Sequence, residues 1–143
     1  MRIAIPKENH PGENRVPITP DSAKKLCRMG AELVVEEGLG VGSGFPDSEY
    51  IDAGATISAD RSEIFSSADV LLRLRKPSPD EIKLMKRGCI HISYLDPFNE
   101  RDLVVALKEA GITAISMEMI PRTTRSQKMD ALSSQANLAG YVM

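Results

Sequence analysis

The residues with the most evident chemistry lie close to the carboxyl terminus. Within one short polar stretch the sequence supplies a cation, an amide, a carboxylate and a hydroxyl group, on Arg122, Gln127, Asp130 and Ser133. Polar side chains on a loop that leads into a regular helix are typical of binding and catalytic sites. We therefore take these four residues as the candidate ligand-binding residues.

Each candidate also has a purely structural explanation. Arg122 offers charge-assisted hydrogen bonds to a ligand, or it packs its stem on the surface. Gln127 donates and accepts through its amide, or it faces solvent. Asp130 binds a ligand hydroxyl or caps the following helix, and the two roles are compatible. Ser133 is either a ligand contact or an ordinary residue of the first helical turn.

A second group of cations, Arg15, Arg75 and Lys76, follows predicted strands. Arg75 and Lys76 are either ligand contacts or a solvated basic rim. For Arg15, a ligand contact and a structural or electrostatic role both stay open. His91 alternates within an apolar strand, which favours a core histidine with its hydrogen bonds satisfied. We predict no metal site, because no Cys, His and Asp spacing is that of a metal centre.

The composition narrows the class of protein. The chain has 143 residues, 42% of them hydrophobic and 27% charged, with a net charge of −2. Without a basic excess a nucleic-acid partner is not expected. No apolar run approaches the ~20 residues that span a bilayer, so no direct membrane insertion is expected. Two cysteines outside a C-x-x-C motif favour a reducing, cytoplasmic setting.

Short apolar runs alternate with helical patterns along the chain. Five strands are predicted, at Arg2–Pro6, Glu32–Glu36, Val70–Leu74, Cys89–Tyr94 and Ile112–Met117. Three helices are predicted, one from Thr19-Pro20 to Gly30, one over Pro79–Lys86, and one from a cap at Asn99 to Ala110. This alternation is typical of a parallel sheet with helices on both faces. The sequence therefore predicts an α/β fold of the Rossmann-like or flavodoxin-like kind.

Ligands of such folds lie beyond the carboxyl ends of the strands. The loops expected there are Lys7–Pro17, Gly38–Pro46, Arg75–Pro79, Leu95–Glu100 and Ile120–Asp130. The glycine-rich segment Gly38–Gly44 follows a strand, but its spacing does not give the G-x-G-x-x-G motif of dinucleotide-binding proteins, and no helix opens at once. We interpret it as a structural loop that allows close backbone approach.

The last residues continue in a helical pattern without a stop signal. We therefore expect residues 1–130 to form one domain and residues 131–143 to begin a helix that connects it to a further domain.

Several motifs together resemble the N-terminal domain that alanine dehydrogenase shares with the alpha subunit of proton-translocating NAD(P) transhydrogenase. They are Ile3–Glu8, Pro11–Val16, Thr19-Pro20, Gly38–Gly44, Ala53–Ala55, Met117–Arg122, Arg125–Gln135 and Gly140-Tyr141. The resemblance covers essentially the whole chain. The terminal motifs, from Met117 onward, are similar to the transhydrogenase branch.

Two positions depart from the alanine dehydrogenase branch. That branch carries a substrate-binding lysine at a strand end, where Arg75 takes the lysine's place in this chain unless the following Lys76 reaches the same site. It also places a catalytic histidine after a Tyr-Leu pair, where this chain has Asp96. Because an aspartate on a solvated loop is a poor substitute for a histidine that shuttles protons near neutral pH, amino-acid deamination is disfavoured.

The resemblance implies a piece of the NAD(H)-binding alpha subunit of a proton-translocating, Re/Si-specific transhydrogenase. In that family NADH passes hydride to NADP+ on a partner subunit, and a membrane-spanning subunit couples this transfer to proton movement. The resemblance assigns Arg122, Gln127, Asp130 and Ser133 to the nicotinamide end of NAD(H). It also implies a homodimer, a peripheral position on the cytoplasmic face of the inner membrane, and an NAD-binding Rossmann domain after residue 143.

Two alternatives stay open from the sequence. One is the N-terminal domain of an NAD-dependent alanine dehydrogenase. The other is a stand-alone, non-catalytic module that binds a partner or an anionic metabolite.

Overall fold

The computed structural model describes residues 1–142 as an α/β fold built on a parallel sheet. The strands are β1 (Arg2–Ile5), β2 (Glu32–Glu36), β3 (Thr56–Ser58), β4 (Val70–Leu72), β5 (Ile90–Ser93) and β6 (Thr113–Ser116). The helices are α1 (Pro20–Arg28), α2 (Asp47–Asp52), α3 (Arg61–Ser67), α4 (Pro79–Leu84), α5 (Arg101–Glu109) and α6 (Ala131–Val142). Short 3-10 turns cover Val41–Ser43, Met117–Met119 and Thr124–Met129.

The strand order decides between the two predicted fold types. The strands run in the order β3-β2-β1-β4-β5-β6, and every neighbouring pair is parallel. This is the doubly wound Rossmann order, not the flavodoxin order. The order reverses between β1 and β4, so the ligand crevice of this fold class lies beyond the carboxyl ends of these two strands.

Local sequence explains where the helices start. The Thr19 side chain accepts a hydrogen bond from the Ser22 amide, and Pro20 occupies the first turn of α1, as predicted. Ser78 and Glu81 form a reciprocal capping box on α4. The predicted cap at Asn99 is wrong. Glu100 stands at the N-cap position of α5, and the Asn99 amide donates to the Asp96 carboxylate instead.

The core lies on both faces of the sheet. One apolar cluster joins the sheet to α3, α4 and α5 and contains Phe65, Leu71 and Leu107. The other joins β1 and β2 to α1 and α2 and contains Leu33 and Tyr50. The predicted parallel sheet with helices on both faces is therefore confirmed.

The edge strand β6 differs from the strands at the centre of the sheet. Thr113, Ala114 and Ile115 are exposed, and Ser116 is half-buried. The neighbouring Val104 and Val105 of α5 are also exposed. α6 follows this edge, and its most extensive contact is with the turn Met117–Met119. None of the helices in residues 1–142 has both the length and the apolar character that a bilayer crossing requires.

The glycine-rich loop is a close-packed turn. The chain makes a 3-10 turn over Val41–Ser43 and does not enter a helix there. A side chain at Gly40 would lie 2.8 Å from Phe45 Cβ and 2.9 Å from Tyr50 Cε2, which leaves no room for it. The loop is therefore structural, as the spacing of its glycines predicted.

Candidate functional site

Beyond the carboxyl ends of β1 and β4, Arg15 and Arg75 both donate hydrogen bonds to one carboxylate, that of Glu13. Glu13, on the loop after β1, accepts hydrogen bonds from Arg15 Nε at 2.7 Å and Arg15 Nη2 at 2.8 Å. It also accepts from Arg75 Nε at 2.8 Å. The Glu13 side chain is 3% exposed, whereas those of Arg15 and Arg75 are 49% and 45% exposed. The hydrogen bonds from Arg15, helped by Arg75, lower the pKa of Glu13 to about 2.

A cleft of about 410 Å³ opens beside these arginines. Its apolar walls include Met117, Ile120 and Leu132, and its polar rim is formed by Arg15, Arg75, Tyr94, Glu118, Arg122, Asp130 and Gln135. Of the four predicted residues, Arg122 and Asp130 therefore line the cleft. Gln127 and Ser133 do not belong to its lining, although both lie on the same terminal segment.

Asp130 caps α6. Its Oδ1 accepts from the Ser133 amide at 3.0 Å, and its Oδ2 accepts from the Ser133 hydroxyl at 2.6 Å. These bonds from Ser133, together with the charge of Arg122, hold the pKa of Asp130 below its ordinary value. The capping role that the sequence suggested is thus present, and the ionised carboxylate still faces the cleft.

Glu118 fixes the loop after β5. Its Oε1 accepts from the backbone N–H groups of Leu95, at 2.9 Å, and Asp96, while its other oxygen accepts from the Ser116 hydroxyl. Burial acts to raise the pKa of Glu118, but these hydrogen bonds lower it on balance. Asp96 has φ 52°, a left-handed conformation that is uncommon outside glycine. Glu118 therefore secures an unusual backbone turn directly after Leu95.

A larger cavity of about 1010 Å³ lies on the other side of Arg75, between the loops after β1 and β4 and the start of α5. Its lining includes His10, Lys76 and Asp96. Lys76 pairs with Glu100 of the α5 cap. Both basic and acidic side chains line this cavity, so it presents no single sign of charge.

An ion-pair chain borders the larger cavity, which Arg73 and Glu81 help to line. Arg73 Nη2 pairs with Glu8 at 3.2 Å and Arg73 Nη1 with Glu81 at 2.7 Å, and Arg61 bridges Glu81 to Glu36. The Arg73 and Glu8 side chains are each 3% exposed. Burial alone would raise the pKa of Glu81, but the Ser78 amide and the two arginines lower it to about 2. This chain, from Glu8 to Glu36, ties the ends of β1, β2 and β4 to α3 and α4.

His91 lies in the core, as predicted, but its hydrogen bonds are only partly satisfied. Its Nε2 is 3.0 Å from Ser93 Oγ, and within the described residues its Nδ1 has no partner. Burial, reinforced by the charge of Arg73, lowers the pKa of His91 to about 4. The histidine is therefore neutral at physiological pH. In residues 1–142, no group of three or more His, Cys, Asp or Glu side chains is arranged to hold a metal ion.

Sequence reasoning missed Glu13, Glu118 and Gln135. Glu13 lies in the motif Pro11–Val16, but nothing in that motif gave it a site role, because its contact with Arg75 exists only once β1 and β4 are neighbours in the sheet. A carboxylate directly after β6, at the ligand edge, was a usable signal for Glu118.

Comparison with known proteins assigns the family. A model of the family described as alanine dehydrogenase/PNT, N-terminal domain, matches residues 4–139. The chain belongs to this family. The predicted resemblance is therefore confirmed.

Relatives within the family favour one branch. The first portion of NAD(P) transhydrogenase subunit alpha from Rhodospirillum rubrum is 45% identical over 146 residues, which cover 99% of this chain and 38% of that protein. The crystal structure of transhydrogenase from Sinorhizobium meliloti is 44% identical with a TM-score of 0.90, and the match covers 97% of this chain and 42% of that one. Alanine dehydrogenase from Methanococcus maripaludis is 36% identical over 140 residues, covering 98% of this chain and 37% of that protein.

This domain is thus more similar to these transhydrogenases than to that alanine dehydrogenase. The identities support the N-terminal domain of the alpha subunit, which is the branch that Arg75 and Asp96 favoured. The chain spans about 40% of the length of these transhydrogenase relatives.

Proposed function

We propose that this chain is the portion of a transhydrogenase alpha subunit that holds the nicotinamide end of NAD(H). The single observation that supports this most is the cleft at the carboxyl-terminal edge of the sheet, which joins an apolar wall to the polar side chains of Arg122 and Asp130. Binding sites for small cofactors commonly combine an apolar lining with a few placed polar groups.

The residues of the cleft fit a nicotinamide riboside. Met117, Ile120 and Leu132 offer an apolar surface for a flat ring. Asp130, whose pKa is lowered, is an acceptor for a ribose hydroxyl or a carboxamide N–H. Arg122 supplies a fixed positive charge. Gln127 lies outside the cleft lining, on the segment between Arg122 and Asp130, and is the proposed partner of the carboxamide. Ser133 acts by holding Asp130.

The chain's own role in the reaction is orientation. Bound NAD(H) would supply the hydride, and hydride chemistry belongs to the cofactor. The residues of the cleft hold one face of the nicotinamide and exclude water, which is how positioning accelerates a transfer between two bound rings. Transfer between two nicotinamides needs no general acid or base, and the cleft contains no histidine among its described lining residues.

The partners follow from the same proposal. We propose an NADP(H)-binding subunit that presents the acceptor, and a membrane-spanning subunit that couples the transfer to proton movement. The complex would hold this domain, as a homodimer, at the cytoplasmic face of the inner membrane. We further propose that α6 leads into an NAD-binding Rossmann domain, so that the cofactor lies between the two domains.

The test is hydride transfer in the full gene product with its partner subunits. Arg122→Ala or Gln127→Ala should lower the rate of NADP+ reduction by NADH at least about tenfold, because each removes a positioning contact. Lys128→Ala is the matched control, since it removes an exposed cation from the same segment. The free energy of unfolding should change by less than about 0.5 kcal/mol in all three, as for exposed residues generally.

Two results would contradict the proposal. A full-rate Arg122→Ala/Gln127→Ala double variant would remove the terminal segment from the mechanism. Alanine-dependent formation of NADH by the same gene product, with Asp96 and Arg75 in place, would instead identify an alanine dehydrogenase.

A further inference from the structure

α6 is joined to the rest of the domain by few contacts. In residues 1–142, one hydrogen bond connects a side chain of α6 to an element outside the helix and its cap, from Arg15 Nη1 to Gln135 Oε1 at 3.3 Å. The main packing contact of α6 is with the turn Met117–Met119. A helix of 12 residues is marginal in water unless tertiary contacts hold it. The Arg15–Gln135 contact is therefore important for the position of α6.

Arg15 suits this task only because Glu13 fixes it. An exposed arginine has many rotamers, and a single exposed hydrogen bond from it is weak. Here the Glu13 carboxylate engages both Nε and Nη2 of Arg15, which leaves Nη1 directed at Gln135. Two parallel N–H···O bonds to one carboxylate fix the plane of a guanidinium group.

Glu13 in turn links Arg15 to the end of strand β4. Its second oxygen is shared with Arg75, which follows closely after β4. The carboxylate is almost entirely buried under the two arginines. A path of charge-assisted hydrogen bonds thus runs from the end of β4 through Arg75, Glu13 and Arg15 to Gln135 on α6.

We propose that Glu13 and Arg15 are positioning residues that fix α6, and with it Asp130 and the cleft wall, against the end of β4. This inference rests on the proposed function only for its consequence in catalysis. Asp130 caps α6 and Leu132 lies on its first turn, so movement of the helix displaces both from the cleft. Arg15 acts in this scheme through Gln135.

Amide hydrogen exchange of the cofactor-free protein tests the anchor. Arg15→Lys and Gln135→Ala should each raise exchange rates across residues 131–142 about fivefold, the loss expected for one hydrogen bond. Lysine keeps the positive charge, but it lacks the planar guanidinium group that donates to Glu13 and Gln135 at the same time. Arg28→Lys, on the far end of α1, is the matched control. Glu13→Gln should reproduce the effect of Arg15→Lys, and the melting temperature of each variant checks its folding.

A double-mutant cycle separates positioning from direct contact. Arg15→Lys/Gln135→Ala should show no more α6 exchange than Gln135→Ala alone. In the full gene product with its partner subunits, each single variant should lower the rate of hydride transfer at saturating NADH about threefold. The double variant should lower that rate no further. Unchanged α6 exchange, or additive losses of rate, would overturn the inference. Exchange is measured without NADH, so its outcome is independent of whether Arg122→Ala changes cofactor use.

Discussion

His91 shows how the environment of one side chain sets the response of the protein to pH. The ring is fully buried, and it lies near the guanidinium of Arg73. Both effects oppose protonation, which explains why the pKa falls from 6.5 to about 4. The histidine therefore contributes stability only while it is neutral.

We predict a loss of stability between pH 7 and pH 4.5 that depends on His91. Above pH 6.5 the folded and unfolded states are both neutral at this residue, and stability is complete. As the pH falls below 6.5, the unfolded state binds a proton that the folded state does not, so stability falls until the folded pKa is reached. The expected loss is about 2 to 3 kcal/mol, measured by urea unfolding across this range.

Variants separate the contribution of His91 to the pH dependence of stability from that of the carboxylates. Glu13 and Glu81 have folded pKa values of about 2, so they lose their stabilising charge only below about pH 4.5. His91→Leu should flatten the profile between pH 7 and pH 4.5, whereas His10→Gln, on an exposed loop, should keep the wild-type slope. An unchanged slope in His91→Leu would contradict the assignment.

The ion-pair chain from Glu8 to Glu36 shows how helices and strands are held in register at the ligand edge. Arg73 is the central member, because it pairs with Glu8 after β1 and with Glu81 on α4. The ring of Phe65 lies 5.9 Å from its guanidinium carbon and 5.2 Å from that of Arg61. Removing one partner of a buried pair leaves an uncompensated charge, which costs more than the pair itself contributes.

We predict that Arg73→Met destabilises the domain by about 3–5 kcal/mol at pH 7, since Glu8 is then buried without a cation and Glu81 keeps only Arg61. Urea unfolding measures this directly. Lys83→Met, which breaks the exposed pair with Asp80, is the control and should cost less than about 1 kcal/mol.

A second variant tests the cause. Adding Glu8→Gln to Arg73→Met removes one unpaired charge while keeping an acceptor for the Leu74 and Arg75 amides. The double variant should therefore be more stable than Arg73→Met. A further loss would show that packing rather than charge dominates at this position.

The elements that sequence reasoning found are those with strong local signals. β1, β2, β4, β5 and β6 are apolar runs, and Thr19-Pro20 is a clear helix start. β3, α2 and α3 were missed, because they are short and β3 is at most half-buried on the sheet edge. Asn99 lies one residue before the N-cap position, which Glu100 occupies, and its side-chain amide donates to the Asp96 carboxylate.

For the site, the sequence predicted the terminal segment but not the residues elsewhere in the chain that hold it in place. Arg122 and Asp130 carry chemistry that is visible in the residue types alone. Glu13 and Arg75 lie far apart in the chain, and only the parallel arrangement of β1 and β4 brings them together. Long-range pairings of this kind depend on the folded sheet and leave no local pattern.

The domain as a whole combines the Rossmann strand order with an atypical first crossover. In dinucleotide-binding folds the turn after β1 carries glycines, and the following helix N-terminus receives the pyrophosphate. Here that turn is long and contains the Glu13–Arg15 pair, and α1 begins only at Pro20. Within residues 1–142, no loop has glycines at the G-x-G-x-x-G spacing. Under the proposed function, the described residues would therefore hold the nicotinamide half of the cofactor without a glycine-rich backbone cradle for its phosphates.

We predict that this chain alone binds NADH more weakly than the micromolar range, as measured by calorimetry. It should bind reduced nicotinamide mononucleotide about as well, because the adenosine half finds no contact on the described surface. The full gene product should instead prefer NADH strongly, since the proposed Rossmann domain supplies the phosphate site. Micromolar binding of NADH to the 143-residue chain would place the phosphates within this domain, and the cleft beside Arg122 would then be only one half of a complete dinucleotide site.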